Sequence, residues 1–226
     1  RKYSDSSVKD TDRLASDCSY KDRIREVDAN TPARFNHNSE RLYGASGCAG
    51  KIAVFAVRID SYLQPKQKKI FYIGIQDPTL LEVMRREILT KFKNLPVSGE
   101  YIHQNVYDVT KKYGKDYFFI IDKFGSKYIP KLFRLKNNID RWFATIPFFP
   151  ENFFEKFMQL LSNIIPNHLP KRMEGFRDKY EHHWILEMTD DGISEARNYL
   201  KDFFERHDGG FFECSKIEGD KAMLHR

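Results

Sequence analysis

The first forty residues carry few apolar positions and no sustained period, so they read as loops and loosely organised chain. Order is expected from Leu42 onward. The small-residue run from Tyr43 to Gly50 leads into Lys51-Ile52-Ala53-Val54-Phe55-Ala56-Val57-Arg58-Ile59. Those nine residues are apolar on both alternating faces, the pattern of a strand inside a sheet. After a polar connection, residues 70–75 predict a second, shorter strand. Asp77 then stands as an N-cap and Pro78 as a first helical residue. Leu80, Leu81, Met84, Ile88, Leu89 and Phe92 follow at helical spacing on one stripe, and Pro96 predicts a stop near Asn94. Residues 100–103 and 117–122 read as further short strands.

The same pattern returns late in the chain. Residues 183–188 predict a strand and Asp190-Asp191-Gly192 a turn. Ser194 is the expected cap of a helix that turns Ala196, Tyr199, Leu200, Phe203 and Phe204 inward. Gly209-Gly210 ends that helix, and residues 211–215 read as a strand. Two strand–helix–strand units thus flank residues 123–180. The simplest architecture is one α+β sheet with a long insertion.

Charge makes that insertion distinctive. The chain of 226 residues has 38 Lys+Arg against 32 Asp+Glu, a net charge of +6. Residues 103–180 hold 14 of the former and 8 of the latter, so this third carries the whole excess. Lys123, Lys127, Lys131, Arg134, Lys136 and Arg141 face only Asp140, among apolar residues that include Trp142 and Phe143. A band of phenylalanine, leucine and isoleucine follows, and Pro130, Pro147, Pro150, Pro166 and Pro170 prevent one long helix. Basic side chains gain ~1 kcal/mol each near an acidic lipid surface, and aromatic rings enter the headgroup boundary. Nucleic acid would use the same cations with the rings as stacking platforms, but no motif for it is present and the aliphatic content is high. The plainer alternative is an ordinary phenylalanine core with a solvated lysine face. Residue pattern alone leaves these three open.

Composition excludes other classes. With 41% apolar residues the chain can bury a core, so wholesale disorder is ruled out. No apolar run approaches the ~18 residues of a membrane span. No signal peptide follows Arg1, and a chain that begins without methionine is expected to be an interior piece of a longer one. Cys18, Cys48 and Cys214 match neither a disulfide framework nor a zinc site and read as reduced structural thiols. His182-His183 invites a metal or acid–base reading. Neighbours on a strand point to opposite faces, however, so the pair is not expected to share one ion, and satisfied structural histidines are the simpler account. No metal site is therefore expected. Gly47-x-x-Gly50 lets backbone approach a ligand but is a short signal. Phosphate loop, G-x-S-x-G, HExxH and CxxC patterns are all missing, and no catalytic site assembles from the residues alone.

Longer strings carry a resemblance. They are Asp28-x-x-Thr31-Pro32-Ala33-Arg34, the stretch from Ser46 to Arg58, Asn94-Leu95-Pro96-Val97-x-Gly99-Glu100-Tyr101 and Lys112-Tyr113-Gly114-Lys115-Asp116. Arg177-Asp178-Lys179-Tyr180-Glu181-His182-His183 and Lys221-Ala222-x-Leu224-His225-Arg226 complete the set. Over residues 20–226 the chain resembles the respiratory, quinone-dependent D-lactate dehydrogenases, peripheral flavoproteins of the vanillyl-alcohol-oxidase type. The resemblance implies the end of an FAD-binding, PCMH-type domain at residues 1–60 and an α+β cap at 61–102 and 180–226. It makes 103–179 an inserted membrane-binding segment. It implies FAD contacts at Val54, with Gly50 and Ala53 as neighbours, and membrane contacts at Lys123, Lys127, Lys131, Arg134, Lys136, Arg141, Trp142 and Phe143. Arg177, His182 and His183, and more remotely His103, become candidates near the substrate.

The implied activity is oxidation of D-lactate to pyruvate with electrons passed to membrane quinone, at an anionic membrane on the cytoplasmic face of the bacterial inner membrane. No nucleic acid is expected as a partner. The pyrophosphate-cradling glycines and the flavin-side histidines of the family are absent from this stretch. The 226 residues alone are accordingly expected to bind FAD poorly and to turn nothing over. A non-enzymatic membrane-surface module remains the alternative.

Overall fold

A computed structural model describes residues 20–29, 50–53, 55, 64–143 and 169–223. The chain divides into two compact units, residues 1–66 with 82–95 and residues 67–81 with 96–226.

The second unit is built on four strands: β1 (Lys68–Ile75), β2 (Ser98–His103), β3 (His182–Thr189) and β4 (Gly210–Glu213). They lie in the order β2-β3-β1-β4, and every neighbouring pair is antiparallel. With α2 (Thr79–Lys91) joining β1 to β2 and α7 (Asp191–Phe204) joining β3 to β4, this is the split β-α-β-β-α-β arrangement. Both expected strand–helix–strand units are therefore present in one sheet. The apolar residues of β1, buried on both faces, place it second from the edge.

The two faces follow from strand alternation. On one face Ile70, Tyr72, Ile185, Phe212 and Cys214 pack with Tyr107, Leu169, Met173 and Ala222. These last four come from α3 (Gln104–Tyr113), α6 (Lys171–Lys179) with Leu169 two residues before it, and α8 (Lys216–Met223). Gly74 lies here because a Cβ would collide with the rings of Tyr180 and Phe176. On the other face Phe71, Ile73, Leu186 and Met188 are buried, and α7 packs on β3 with Ile193, Ala196, Leu200 and Phe203 inward. Fully burying each such side chain stabilises the fold by about 1.5–3 kcal/mol.

The first unit contains a short helix α1 (Tyr20–Arg23) and residues 82–95, the greater part of α2 and its exit. Arg25 holds the end of α2. Its guanidinium donates to the Leu89 carbonyl at 3.2 Å and the Phe92 carbonyl at 2.8 Å, acceptors that helix geometry leaves open. At the other end of α2 the Asp77 carboxylate accepts the Thr79 N–H at 2.9 Å, and that bond lowers its pKa. The expected cap is thus in place, and Met84, Ile88 and Phe92 of the expected stripe are buried.

Three expectations are corrected. Residues 117–122 belong to α4 (Lys115–Phe124) and not to a strand. A short apolar run fits either state, and Gly114 and Gly125 bracket a ten-residue helix. Ser194 lies inside α7, its hydroxyl donating to the Asp191 carbonyl at 2.9 Å. The helix begins three residues earlier because Asp190, at φ 45°, exchanges two hydrogen bonds with the Gln67 backbone and so ends β3 abruptly. Within the expected strand 51–59, residues 51–53 and 55 are exposed and not in a strand, with Phe55 97% exposed. No described strand pairs with these four residues, so they have no sheet interior to enter. Val54, residues 56–59, Cys18 and Cys48 lie outside the described residues.

Candidate functional site

The insertion leaves the sheet after His103 and returns at His182, two residues that face each other in the β2–β3 ladder. This register brings together side chains almost eighty residues apart. His103 and His182 have ring centroids 5.2 Å apart at 71°. Glu181 joins them, its Oε1 at 3.0 Å from His103 Nε2. His103 also caps α3, its Nδ1 accepting the Asn105 N–H at 3.1 Å. His182 Nδ1 lies 2.7 Å from the Tyr101 hydroxyl, and the two rings stack. Desolvation, with the Glu181 charge adding to it, raises the pKa of that phenol. Gln76 Nε2 donates to the second Glu181 oxygen at 3.4 Å. The group is partly exposed and offers one donor atom from each of His103, Glu181 and His182 within 4.8 Å of the others.

His183 points the other way, as strand alternation requires. It is fully buried beside Tyr72, with ring centroids 5.6 Å apart, and neither ring nitrogen has a hydrogen-bond partner. Burial pushes its pKa down to about 4; the Tyr180 backbone carbonyl pulls upward without completing a hydrogen bond. The expectation of a satisfied structural histidine is corrected: it is structural but unsatisfied.

Arg177 is engaged within the protein. Its fork binds the Asp108 carboxylate, with Nε to Oδ1 at 2.8 Å, and Nη1 binds Asp178 at 2.8 Å. These hydrogen bonds raise its pKa and tie α6 to α3. Of the three nominated cap residues, His182 alone keeps both partial exposure and a ring nitrogen beside other polar groups. The spacing of the sequence could not show that His103 and Glu181 belong with it, because the signal is the strand register.

The basic insertion forms a second candidate surface. After α4 come a 3₁₀ turn (Ser126–Tyr128) and α5 (Ile129–Phe143), with Pro130 in the first turn where it is tolerated. Lys123, Lys127, Lys131, Arg134, Arg141 and Trp142 are exposed, while the side chains of Lys136 and Phe143 lie outside the description. At 100° per residue, Lys131, Arg134 and Arg141 share an arc of about 120° with Leu135 and Trp142. Leu135 is 53% and Trp142 64% exposed. The Lys127 and Lys131 ammonium groups sit 5.2 and 5.3 Å from the Tyr128 ring centroid. Cations flanking exposed apolar side chains on one helix face fit an interfacial helix. Among the described residues no helix is long and apolar enough to cross a membrane.

Gly50 and Ala53 lie elsewhere, in the first unit. Both are exposed, and Gly50 has φ 74° with nothing within 4 Å of a Cβ placed there.

Residues 70–226 match the family model described as D-lactate dehydrogenase, membrane binding. The chain is 46% identical over 230 residues to the quinone-dependent D-lactate dehydrogenase of Escherichia coli (strain K12), covering 100% of this chain and 40% of that protein. It is 49% identical over 210 residues to the enzyme of that name from Haemophilus influenzae, covering 92% and 37%. The corresponding Corynebacterium glutamicum protein is 35% identical over 209 residues, covering 92% and 36%. The chain thus spans well under half the length of the curated relatives it matches.

Proposed function

Since the chain belongs to the quinone-dependent D-lactate dehydrogenase family, we propose that it is the cap and membrane-docking portion of an enzyme that oxidises D-lactate to pyruvate and delivers the electrons to membrane quinone. The observation that carries this reading is α5, with Lys131, Arg134 and Arg141 beside exposed Leu135 and Trp142, inside the stretch matched by a membrane-binding family model. The helix lies on an anionic surface with its axis in the plane, Trp142 at the headgroup boundary and the cations against lipid phosphates. The surface is the cytoplasmic face of the inner membrane.

Pyruvate carries two electrons and two protons fewer than D-lactate, so the reaction needs a two-electron acceptor. FAD, when bound, supplies that capacity. The described residues of this chain do not enclose it: Gly50 and Ala53 are exposed, with open space around the Gly50 Cβ position. This chain contributes docking to the membrane and a cap that carries His182 in the β2–β3 ladder.

Vesicle co-sedimentation of the full-length enzyme tests the reading. Binding should require anionic lipid and weaken as salt shortens the screening length. Replacing Lys131, Arg134 and Arg141 together by Ser removes ~3 kcal/mol at ~1 kcal/mol each, about two orders of magnitude in partitioning. Oxidation of D-lactate with a soluble acceptor should persist. Unchanged vesicle binding in this variant would remove the docking role.

A further inference from the structure

We propose that His103, Glu181 and His182 form a three-ligand site for a divalent transition ion of the zinc type, with a fourth position left to water. The argument does not rest on the D-lactate reading and stands or falls separately from it.

Two imidazoles and one carboxylate are a donor set that zinc takes in open sites. The three donor atoms lie within 4.8 Å of one another. Around a tetrahedral ion with bonds of about 2.0–2.1 Å they would stand roughly 3.4 Å apart, a closure that small side-chain rotations supply. The separation of the histidines is set by strand register, not by loop conformation, because His103 and His182 are paired across the β2–β3 ladder. Glu181 immediately precedes β3 and already reaches His103.

The outer contacts suit an ion as well. With His182 bound through Nε2, its Nδ1–H donates to the Tyr101 hydroxyl 2.7 Å away, the contact that fixes tautomer and ring orientation at metal sites. Gln76 steadies the outer oxygen of Glu181.

His103 introduces a competition. In the metal-free protein its Nδ1 accepts the Asn105 N–H, which assigns the ring proton to Nε2, facing Glu181. Binding an ion through Nε2 moves that proton to Nδ1 and gives up the cap of α3. Loss of a cap of this kind weakens binding by roughly fivefold. It also leaves the Asn105 amide open to exchange. Metal loading and the first turn of α3 are thereby coupled.

The test uses the full-length protein stripped with chelator and titrated with Zn²⁺, and in parallel with Co²⁺ as a spectroscopic probe. Wild type should bind one more tight equivalent than Glu181→Gln or His182→Ala, with affinity lowered more than about 100-fold at the lost site. The visible bands of four-coordinate Co²⁺ should vanish with it. Tyr101→Phe should weaken binding by about tenfold, and Zn²⁺ should speed exchange of the Asn105 amide in wild type but not in Glu181→Gln or His182→Ala. Glu181→Gln keeps a hydrogen-bond acceptor for His103, so it decides the matter if His182→Ala fails to fold. Equal stoichiometry and affinity in wild type and Glu181→Gln, or no tight equivalent in wild type, overturns the proposal.

Discussion

Replacing His183 by leucine, close to it in volume, should flatten the dependence of the sheet's stability on pH. The ring is fully buried, has no hydrogen-bond partner on either nitrogen and faces Tyr72. Burial is the main cause of its low pKa, about 4 against 6.5 for an ordinary histidine, and electrostatic repulsion from His182, His103 and Arg177 pushes the same way. A histidine whose folded pKa is depressed is held neutral by the fold. The unfolded chain then takes up the extra proton as pH falls below 6.5, and folding loses free energy until the folded pKa is reached. Stability from this group is fully present at neutral pH and above. A shift from 6.5 to about 4 corresponds to about 3 kcal/mol at the acid limit, of which about 2 kcal/mol has gone by pH 5. The assay is native-state hydrogen exchange at the β1 and β3 amides, such as Ile73 and Ile185, which reports this sheet independently of other parts of the enzyme. Chelator in the buffer keeps His182 free of metal. Wild type should lose about 2 kcal/mol of protection between pH 7 and pH 5 that His183→Leu retains. At neutral pH the variant should gain about 1 kcal/mol by removing unpaired buried polar atoms. If both proteins lose protection in parallel, the burial argument is wrong.

Three further outcomes follow from packing and charge. Gly74→Ala should destabilise by about 1–3 kcal/mol, because the new methyl meets the Tyr180 and Phe176 rings; thermal unfolding measures it. Cys214, 2% exposed and with its pKa raised to about 12 by burial and then by Glu218, should resist iodoacetamide at pH 8 while folded and react in urea, as read by mass spectrometry. Arg177→Lys keeps the charge but loses the fork to Asp108. With both partners partly exposed, the cost should be about 1 kcal/mol or less, seen as faster amide exchange in α3.

What the sequence revealed depended on whether a residue's role is local. The stripe of α2 and the apolar run of β1 repeat at spacings that hydrophobic burial imposes on any such element, so both were readable. Residues 117–122 lacked that discrimination, since six mostly apolar residues fit strand and helix alike. Ser194 looked like a cap because serine caps helices in general, but the fold starts α7 at Asp191 through the two bonds between Asp190 and Gln67. The opposite directions of His182 and His183 were readable from the period of a strand. The company each keeps was not. His103 meets His182 only because β2 pairs with β3 in one register, and no local pattern encodes it. That His183 would be left unsatisfied was equally hidden, because it depends on burial beside Tyr72 of the neighbouring strand.

The β2–β3 pairing has a mechanical side. Viewed from the sheet, residues 104–181 are the turn of one hairpin, with His103 and His182 as its last rung. Widening or shortening that turn changes the entropy of closing it only logarithmically. A load that parts the two stems opens the ladder one rung at a time from this pair, like a zipper drawn from its end. Within that ladder β3 is held on its other side by β1 while β2 has no second neighbour, so β2 is the strand that peels away first. Tension arising where the insertion grips a surface is therefore released at β2, before it reaches β1 and β4.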